Sequence, residues 1–245
     1  MLMSTAPLLS WASACVTNVG TVRELNEDAC LDMPEVGLWV VADGVGGHHG
    51  GEIASQLIIK SLAGIGAHDR LSEFVNEVED RLLEVHGDLV HRAQGKGPDM
   101  TIGSTIAALL VAGEYGVCLW AGDSRIYRYR DGQLEQITQD HSHVEELIAR
   151  GALEREQANK HPWSNVITRA VGAGDELFLD AELQKLQSGD QYLICSDGLY
   201  KEVSEAVIAE HLGHDDSMTI CQRLVSQSLE QGADDNVTVL VVQFI

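Results

Sequence analysis

Four consecutive strand-like segments, with no helical spacing between them, constrain the fold of this chain more than any other feature. They cover about 104–112, 116–121, 125–130 and 133–137. The pair Asp131-Gly132, between the last two segments, favours a tight hairpin turn. Strands that follow one another in this way form antiparallel meanders, whereas a Rossmann-type fold needs a helix between most of its strands. This part of the chain therefore predicts an antiparallel sheet.

The rest of the chain adds strands and two larger groups of helices. Apolar runs and alternating patterns predict further strands at about 11–19, 37–42, 177–183, 190–196 and 236–244. Helical spacing covers about 50–66, 70–94, 143–150, 204–212 and 216–231. We expect an α+β fold in which two packed antiparallel sheets are flanked by helices, within one domain spanning residues 1–245. The polar stretch of about 139–176 is expected to form a small helical flap.

Composition limits the partners of the chain. Its formal net charge is −22, from 38 acidic and 16 basic residues. Such a chain repels nucleic acids and anionic membranes, and no apolar run reaches the roughly 18 residues of a membrane helix. Neither kind of partner is expected. Residues 1–15 fit a first strand better than an export signal, because no Lys or Arg precedes Arg23 and Pro7 interrupts the apolar stretch.

The cysteines are dispersed and odd in number. They are Cys15, Cys30, Cys118, Cys195 and Cys221. No CxxC pair occurs and most of the five lie in apolar runs, so we expect reduced, buried thiols and a cytoplasmic location. Oligomeric state leaves no trace in the sequence, and a monomer is the default expectation.

Acidic residues stand where apolar strands begin or end. Asp43, Asp123 and Asp197 each follow such a strand, the pair Asp234-Asp235 precedes one, and Glu27-Asp28 lies in the turn after the first strand. Any one Asp-Gly pair could be a simple turn, but strand ends can converge on one site. Clustered carboxylates repel one another, and Mg²⁺ or Mn²⁺ would remove that conflict. Zinc is disfavoured because there is no HExxH motif and no cysteine pair.

A carboxylate centre with two divalent ions suits hydrolysis of a phosphate ester. Arg23 lies four residues before Glu27 and could grip two phosphate oxygens at once. The glycine-rich segment 43–51 does not fit a nucleotide loop, because His49 stands where the third glycine of GxGxxG belongs. Close backbone approach to a metal, with the Gly44 carbonyl as a ligand, explains these glycines better.

Eight short motifs occur along the chain in a fixed order. They are Arg23-Glu24-Leu25-Asn26-Glu27-Asp28, Val41-Ala42-Asp43-Gly44-Val45-Gly46-Gly47, Gly103-Ser104-Thr105, Gly122-Asp123-Ser124-Arg125, Asp140-His141-Ser142, Thr168-Arg169-Ala170-Val171-Gly172, Ser196-Asp197-Gly198 and Asp234-Asp235-Asn236-Val237-Thr238. Together, from about 12 to 244, they resemble the PPM family of metal-dependent Ser/Thr protein phosphatases (type 2C) in its compact bacterial form. The resemblance implies an αββα sandwich with a metal centre in a cleft at one end of the sheets.

The resemblance also implies a set of ligands for two Mn²⁺ or Mg²⁺ ions. Asp43 would bridge both ions. Glu27 and the Gly44 carbonyl would complete the protein ligands of one ion, and Asp197 and Asp235 those of the other.

Further roles follow from the same resemblance. Asp28 would orient metal-bound water from behind the ligands. Asp123 would form a weaker third metal site together with Asp197, and Arg23 would bind the substrate phosphate. Asp235 is preferred to Asp234 as the ligand because it adjoins the asparagine of its motif.

The general acid for the leaving group stays open. Val45 stands where many relatives have a histidine, so metal-bound water, His48 or His49 are the alternatives. Asp140, His141 and Arg169 match family positions but are interpreted as loop and flap structure.

The resemblance implies an enzyme that hydrolyses phosphoserine and phosphothreonine in proteins by direct attack of activated water. Its partners would be phosphoproteins made by a bacterial Ser/Thr kinase. Two alternatives are a catalytically inactive relative that only binds phosphoproteins, and a phosphatase of small metabolites. Every expected metal ligand is present, which disfavours the inactive relative.

Overall fold

The computed structural model describes residues 9–46, 50–95 and 100–245. The strands are β1 (Trp11–Asn18), β2 (Asp28–Met33), β3 (Leu38–Gly46), β4 (Ile102–Ser104), β5 (Ile106–Ala112), β6 (Tyr115–Ala121), β7 (Arg125–Arg130), β8 (Gln133–Gln136), β9 (Asp180–Lys185), β10 (Gln191–Cys195) and β11 (Val237–Phe244). The α-helices are α1 (Gly50–Leu62), α2 (Leu71–Gln94), α3 (His143–Ala149), α4 (Asp197–Tyr200), α5 (Glu205–His211) and α6 (Ser217–Glu230).

The strands form two sheets. One has the order β1-β11-β10-β7-β8, and the other has the order β2-β3-β5-β6-β9 with β4 paired to β3. Every strand pair is antiparallel. The prediction of two antiparallel sheets is therefore confirmed.

The central strands are buried on both faces, which explains their continuous apolar runs. In β3, Trp39 faces the opposite sheet, whereas Leu38 and Val40 pack under α1 and α2. In β11, Leu240 faces the opposite sheet and Val241 packs under the helices of the other side. Each such side chain contributes roughly 1.5–3 kcal/mol by leaving water. The layers are thus helices, sheet, sheet and helices, as expected.

The turn between β7 and β8 follows its local sequence. Asp131 has a φ of 52° and Gly132 a φ of 79°. Two positive φ values in succession are typical of a type I′ turn, whose twist matches that of the flanking strands. Asp131-Gly132 is therefore the hairpin turn that the sequence predicts.

Some elements differ from the prediction. No strand was predicted at β2, where only Glu27-Asp28 was assigned to a turn, but Asp28–Met33 pairs along its length with Leu38–Asp43 of β3. The short helix α4 (Asp197–Tyr200) was not predicted either. β9 begins at Asp180, three residues after the predicted start of 177. Within the expected flap, α3 and a 3-10 helix at Arg155–Lys160 are helical.

The prediction of five reduced cysteines is wrong for two of them. Cys15 of β1 and Cys30 of β2 form a disulfide that joins the two sheets, with their Cα atoms 7.1 Å apart. Because β2 was not predicted, the sequence did not show that Cys30 lies opposite Cys15. Cys118, Cys195 and Cys221 are buried free thiols, as expected.

None of the helices in the described parts of the chain combines the length and the apolar character needed to cross a bilayer.

Candidate active site

The acidic residues converge at one end of the two sheets. Asp28 and Asp43 are register partners in the β2–β3 ladder. In the other sheet, the N–H of Ser196 donates to the Thr238 carbonyl at 3.1 Å, which places the start of α4 beside the start of β11. Between them lies a cavity of about 230 Å³. It is lined by Arg23, Glu27, Asp43, Gly44, Val45, Gly46, Asp123, Asn165, Ile167, Asp197, Asp235 and Asn236.

Seven of the eight site residues predicted from the sequence line this cavity. The eighth, Asp28, is buried directly behind it, with 4% of its surface exposed. Its Oδ2 accepts hydrogen bonds from the hydroxyls of Ser196 and Thr238, both at 2.7 Å. Asp234, the alternative ligand to Asp235, lines a neighbouring cavity instead.

Glycine is required where β3 meets α1. A Cβ on Gly44 would lie 2.3 Å from the carbonyl carbon and oxygen of Gly51. A Cβ on Gly51 would lie 2.9 Å from Glu27 Oε1. Only glycines at both positions let the strand end, the first turn of the helix and the Glu27 carboxylate pack together. The N–H of Glu52 donates to Glu27 Oε1 at 3.4 Å, so this carboxylate lies at the positive end of α1.

Asn236 holds the loop that carries Glu27. Its Nδ2 donates to the carbonyls of Val19 and Leu25, each at 2.9 Å, and its Oδ1 accepts from the N–H of Glu27 at 2.7 Å. The sequence argument used this asparagine only to choose between Asp234 and Asp235. Its place in the Asp-Asp-Asn motif was the signal for a structural role.

The backbone of Asp43 is held from two sides. The Thr105 hydroxyl accepts from the Asp43 N–H at 3.0 Å and shares a 2.7 Å hydrogen bond with the Ser124 hydroxyl. The Ser104 hydroxyl donates to the Asp43 carbonyl at 2.9 Å. These residues belong to the Gly-Ser-Thr and Gly-Asp-Ser-Arg motifs, and they fix the direction in which the Asp43 carboxylate points.

The buried carboxylates repel one another strongly. Burial, followed by repulsion from four neighbouring carboxylates, raises the pKa of Asp43 well above its ordinary value. Those neighbours are Asp28, Asp197, Asp123 and Asp235. Burial is also the largest cause that raises the pKa of Asp28 and that of Asp123 to about 7. Cations that prefer oxygen ligands offset the repulsion between carboxylates in a cluster of this kind.

The donor set fits divalent cations such as Mn²⁺ or Mg²⁺. Asp197 Oδ1 is buried and has no hydrogen-bond partner among the described residues, so it is left free to bind an ion. As they stand, no three His, Cys, Asp or Glu side chains of the described residues enclose a single point closely enough to hold an ion. Two of the carboxylates are bonded to basic side chains: Asp235 to Arg23 at 2.9 Å, and Asp197 to Lys201 at 2.5 Å.

Lys201 and Asn165 were not predicted to belong to the site. Lys201 Nζ also donates to Asn165 Oδ1 at 2.8 Å, which connects the flap to the acidic centre. Lys201 lies four residues after Asp197, so both occupy one face of the short helical segment. That spacing was the available signal for Lys201. No local signal identified Asn165.

The motif residues interpreted as structure form ion pairs and hydrogen bonds with other side chains. The Arg125 guanidinium bonds both oxygens of Asp140, at 2.8–3.1 Å. Arg169 donates to Asp180 at 2.7 Å, and His141 Nε2 lies 3.1 Å from the other oxygen of Asp180.

Val45, which stands where many relatives have a histidine, lines the cavity and has no proton to give. His48 and His49 lie outside the described residues. Among the described residues that line the cavity there is no histidine.

Two antiparallel sheets between helices, with an acidic centre at one end, are the arrangement that the resemblance to the type 2C class implies. Residues 21–237 match the model of the family described as protein phosphatase 2C. The chain belongs to this family.

Two curated relatives are serine/threonine phosphatases. PstP of Mycobacterium tuberculosis (strain CDC 1551 / Oshkosh) is 35% identical over 227 residues, which are 92% of this chain and 43% of PstP. The chain thus spans less than half the length of that relative. The phosphatase stp of Listeria innocua serovar 6a is 31% identical over 237 residues, with 93% of each chain covered.

Solved structures show the same fold. PppA, described as a key regulatory component of T6SS in Pseudomonas aeruginosa, is 42% identical with a TM-score of 0.91, covering 97% of this chain and 99% of PppA. The catalytic domain of PstP, in complex with two manganese ions, is 34% identical with a TM-score of 0.84, covering 97% of this chain and 99% of that domain.

Proposed function

We propose that this chain hydrolyses phosphoserine and phosphothreonine esters in proteins, with two Mn²⁺ or Mg²⁺ ions. The observation that carries the proposal is the convergence of mutually repelling, buried carboxylates on one cavity, with Asp197 Oδ1 left unpartnered. The relatives named above are serine/threonine phosphatases, and one of them was solved with two manganese ions.

The proposed ligands divide into two sets that share Asp43. Glu27 and the Gly44 carbonyl serve one ion, and Asp197 and Asp235 serve the other. When bound, the ions supply an acidified water molecule for attack and neutralise charge on the phosphate. The chain's own contribution is to hold these oxygens in place, through the backbone contacts of Asp43 and Glu27 described above.

Arg23 is proposed to bind the phosphate group. Its side chain is 53% exposed and bonds Asp235 at the cavity wall, so its guanidinium can turn towards an incoming phosphate. A planar guanidinium matches two phosphate oxygens at once, which a lysine cannot do.

Asp28 is proposed to orient the attacking water and to accept a proton from it. The two hydroxyl groups that donate to its Oδ2 fix the orientation of the carboxylate. With no histidine among the described residues of the cavity wall, water is the proposed proton donor for the leaving oxygen.

The remaining assignments are also proposals. The substrates would be the products of a Ser/Thr kinase, the chain would act as a monomer, and residues 1–245 would form a single phosphatase domain. Asn165 and Ile167 of the flap lie at the cavity wall, so the flap would contact the peptide on either side of the phosphorylated residue.

The test compares two kinds of Asp-Gly pair in the same protein. Asp43→Asn should lower kcat/KM on a phosphothreonine peptide with Mn²⁺ by roughly 10³-fold, equivalent to about 4 kcal/mol of transition-state stabilisation. Asp131→Asn is the matched control, because Asp131 only forms a hairpin turn, and it should leave turnover unchanged. EDTA should stop the wild-type reaction.

Three outcomes would contradict the proposal. Asp43→Asn retaining most of its activity would refute the metal assignment. Absence of turnover in a protein that binds Mn²⁺ would favour a phosphoprotein-binding module. Faster turnover of small phosphorylated metabolites than of phosphopeptides would replace the substrate class.

A further inference from the structure

The ammonium group of Lys201 lies against the acidic centre. Lys201 follows the short helix α4 and reaches back to Asp197, with Nζ 2.5 Å from Oδ2. On its other side, Nζ donates to Asn165 Oδ1 at 2.8 Å. The side chain is only 27% exposed, so this cation is partly withdrawn from water. Hydrogen bonds from both sides hold it in one position.

Asp123 is a second carboxylate close to this ammonium. Asp123 and Lys201 line the same cavity of about 510 Å³, and Asp123 is buried. The ammonium of Lys201 therefore bonds one of the two ligands expected for a third ion, Asp197, and lines the same cavity as the other, Asp123.

We propose that the ammonium of Lys201 takes the place of a third metal ion beside Asp123 and Asp197, so that this chain binds two ions and not three. The inference rests on the proposed two-ion centre. It replaces the weaker third site expected from the sequence with a cation supplied by the chain itself.

Simple electrostatics supports the replacement. A third divalent ion on Asp197 and Asp123 would lie within a few ångströms of a positive charge, in a place that is partly shielded from water. An ammonium group has three donors and no acceptor, so it cannot serve as a ligand to that ion. The contact with Asn165 holds the ammonium in place from the flap side. Binding of a third ion would require Lys201 to leave both partners.

The test counts bound ions without measuring activity. Purified protein is dialysed to equilibrium against Mn²⁺, and the free ion is measured by its EPR signal. Wild type should bind two ions per chain. Lys201→Met keeps the length of the side chain and removes its charge, so it should bind a third ion. Its affinity for that ion should exceed any residual third-ion affinity of wild type by more than about tenfold.

Two further variants separate charge from other effects. Lys201→Arg keeps the positive charge and should bind two ions. Lys185→Met removes an exposed lysine that pairs with Tyr115, at the far end of β6 from Asp123, and should also bind two. Circular dichroism melts check that each variant is folded.

The possible results distinguish the two proposals. Three ions in wild type, or only two in folded Lys201→Met, would overturn the inference and leave the two-ion centre intact. Fewer than two ions in wild type would overturn the proposed centre and the inference together. A third ion in Lys185→Met would also overturn the inference, because the effect would not be local to Lys201.

Discussion

Replacing Asp28 by asparagine should make the protein more stable in EDTA while it lowers the catalytic rate. Asp28 is buried, and burial is the main reason that its pKa rises from 3.8 to about 7. The hydrogen bonds from Ser196 and Thr238 lower its pKa, and the charges of neighbouring aspartates raise it. The net shift corresponds to about 4 kcal/mol, at about 1.4 kcal/mol per unit. This is the upper limit of what the ionised carboxylate costs the folded state.

The pH dependence follows from the sign of the shift. The unfolded chain loses the proton of this carboxyl group near pH 3.8, whereas the folded chain keeps it until about pH 7. Between these values the folded state binds the extra proton, so stability falls as pH rises, and the loss is complete above pH 7. The asparagine variant has no such titration. Its gain over wild type should be small at about pH 4.5 and largest at about pH 8, up to about 4 kcal/mol.

The assay is urea unfolding in EDTA at both pH values, with thermal melts as a second measure. For a chain of this size, the upper limit corresponds to a rise in Tm of roughly 8–16 °C. Asp32→Asn is the matched control. Asp32 lies on the same strand but is exposed, and it accepts a hydrogen bond from Ser13, so the change should stay within about 0.5 kcal/mol. With saturating Mn²⁺ the advantage of Asp28→Asn should shrink, because bound cations neutralise the cluster. The reasoning is refuted if Asp28→Asn in EDTA is no more stable than wild type at pH 8, or gains equally at both pH values.

Two further predictions concern buried polar groups beside the site and away from it. His141 is protonated less readily than an ordinary histidine, because burial lowers its pKa and its Nδ1 accepts the Gly122 N–H at 3.2 Å. The unfolded chain therefore takes up the proton first, and stability should fall as pH drops below about 6.5. His141→Asn, whose Oδ1 can accept the same N–H, should reduce the loss of stability at acid pH in thermal melts between pH 5 and 8. An unchanged dependence of stability on pH would contradict the role given to His141. The Asp190 carboxylate is fully buried and bonded by Arg130 at 2.5 and 2.6 Å, so Asp190→Ala should lower the free energy of unfolding by roughly 2–4 kcal/mol. A loss below about 1 kcal/mol in urea titrations would show that the pair is easily replaced by water.

Local features of the sequence determined the architecture. The run of strands between 104 and 137 predicted antiparallel pairing, and Asp131-Gly132 predicted the turn that its two positive φ values confirm. Apolar runs predicted the strands β3 and β11, and the structure shows that both faces of these strands are covered. These signals are short-range, because side-chain alternation and turn chemistry depend on neighbouring residues only.

The sequence also indicated most of the acidic residues that line the cavity, since strand-end aspartates are visible as a pattern. It did not identify what surrounds them. No strand was predicted at β2, because this short segment gains its structure only by pairing with β3. The disulfide between Cys15 and Cys30 was not predicted for the same reason, because Cys30 lies on β2.

Only the tertiary structure decided which groups meet at the acidic centre. Ser196 reaches Asp28 across 168 positions of the chain, and Lys201 reaches Asn165 across 36. Contacts of this kind depend on how the two sheets and the flap pack, and no local pattern encodes that packing. The same packing buries the carboxylates, and burial is the main physical cause of the raised pKa values of Asp28 and Asp43. The sequence therefore supplied the acidic groups, and the fold determined their environment.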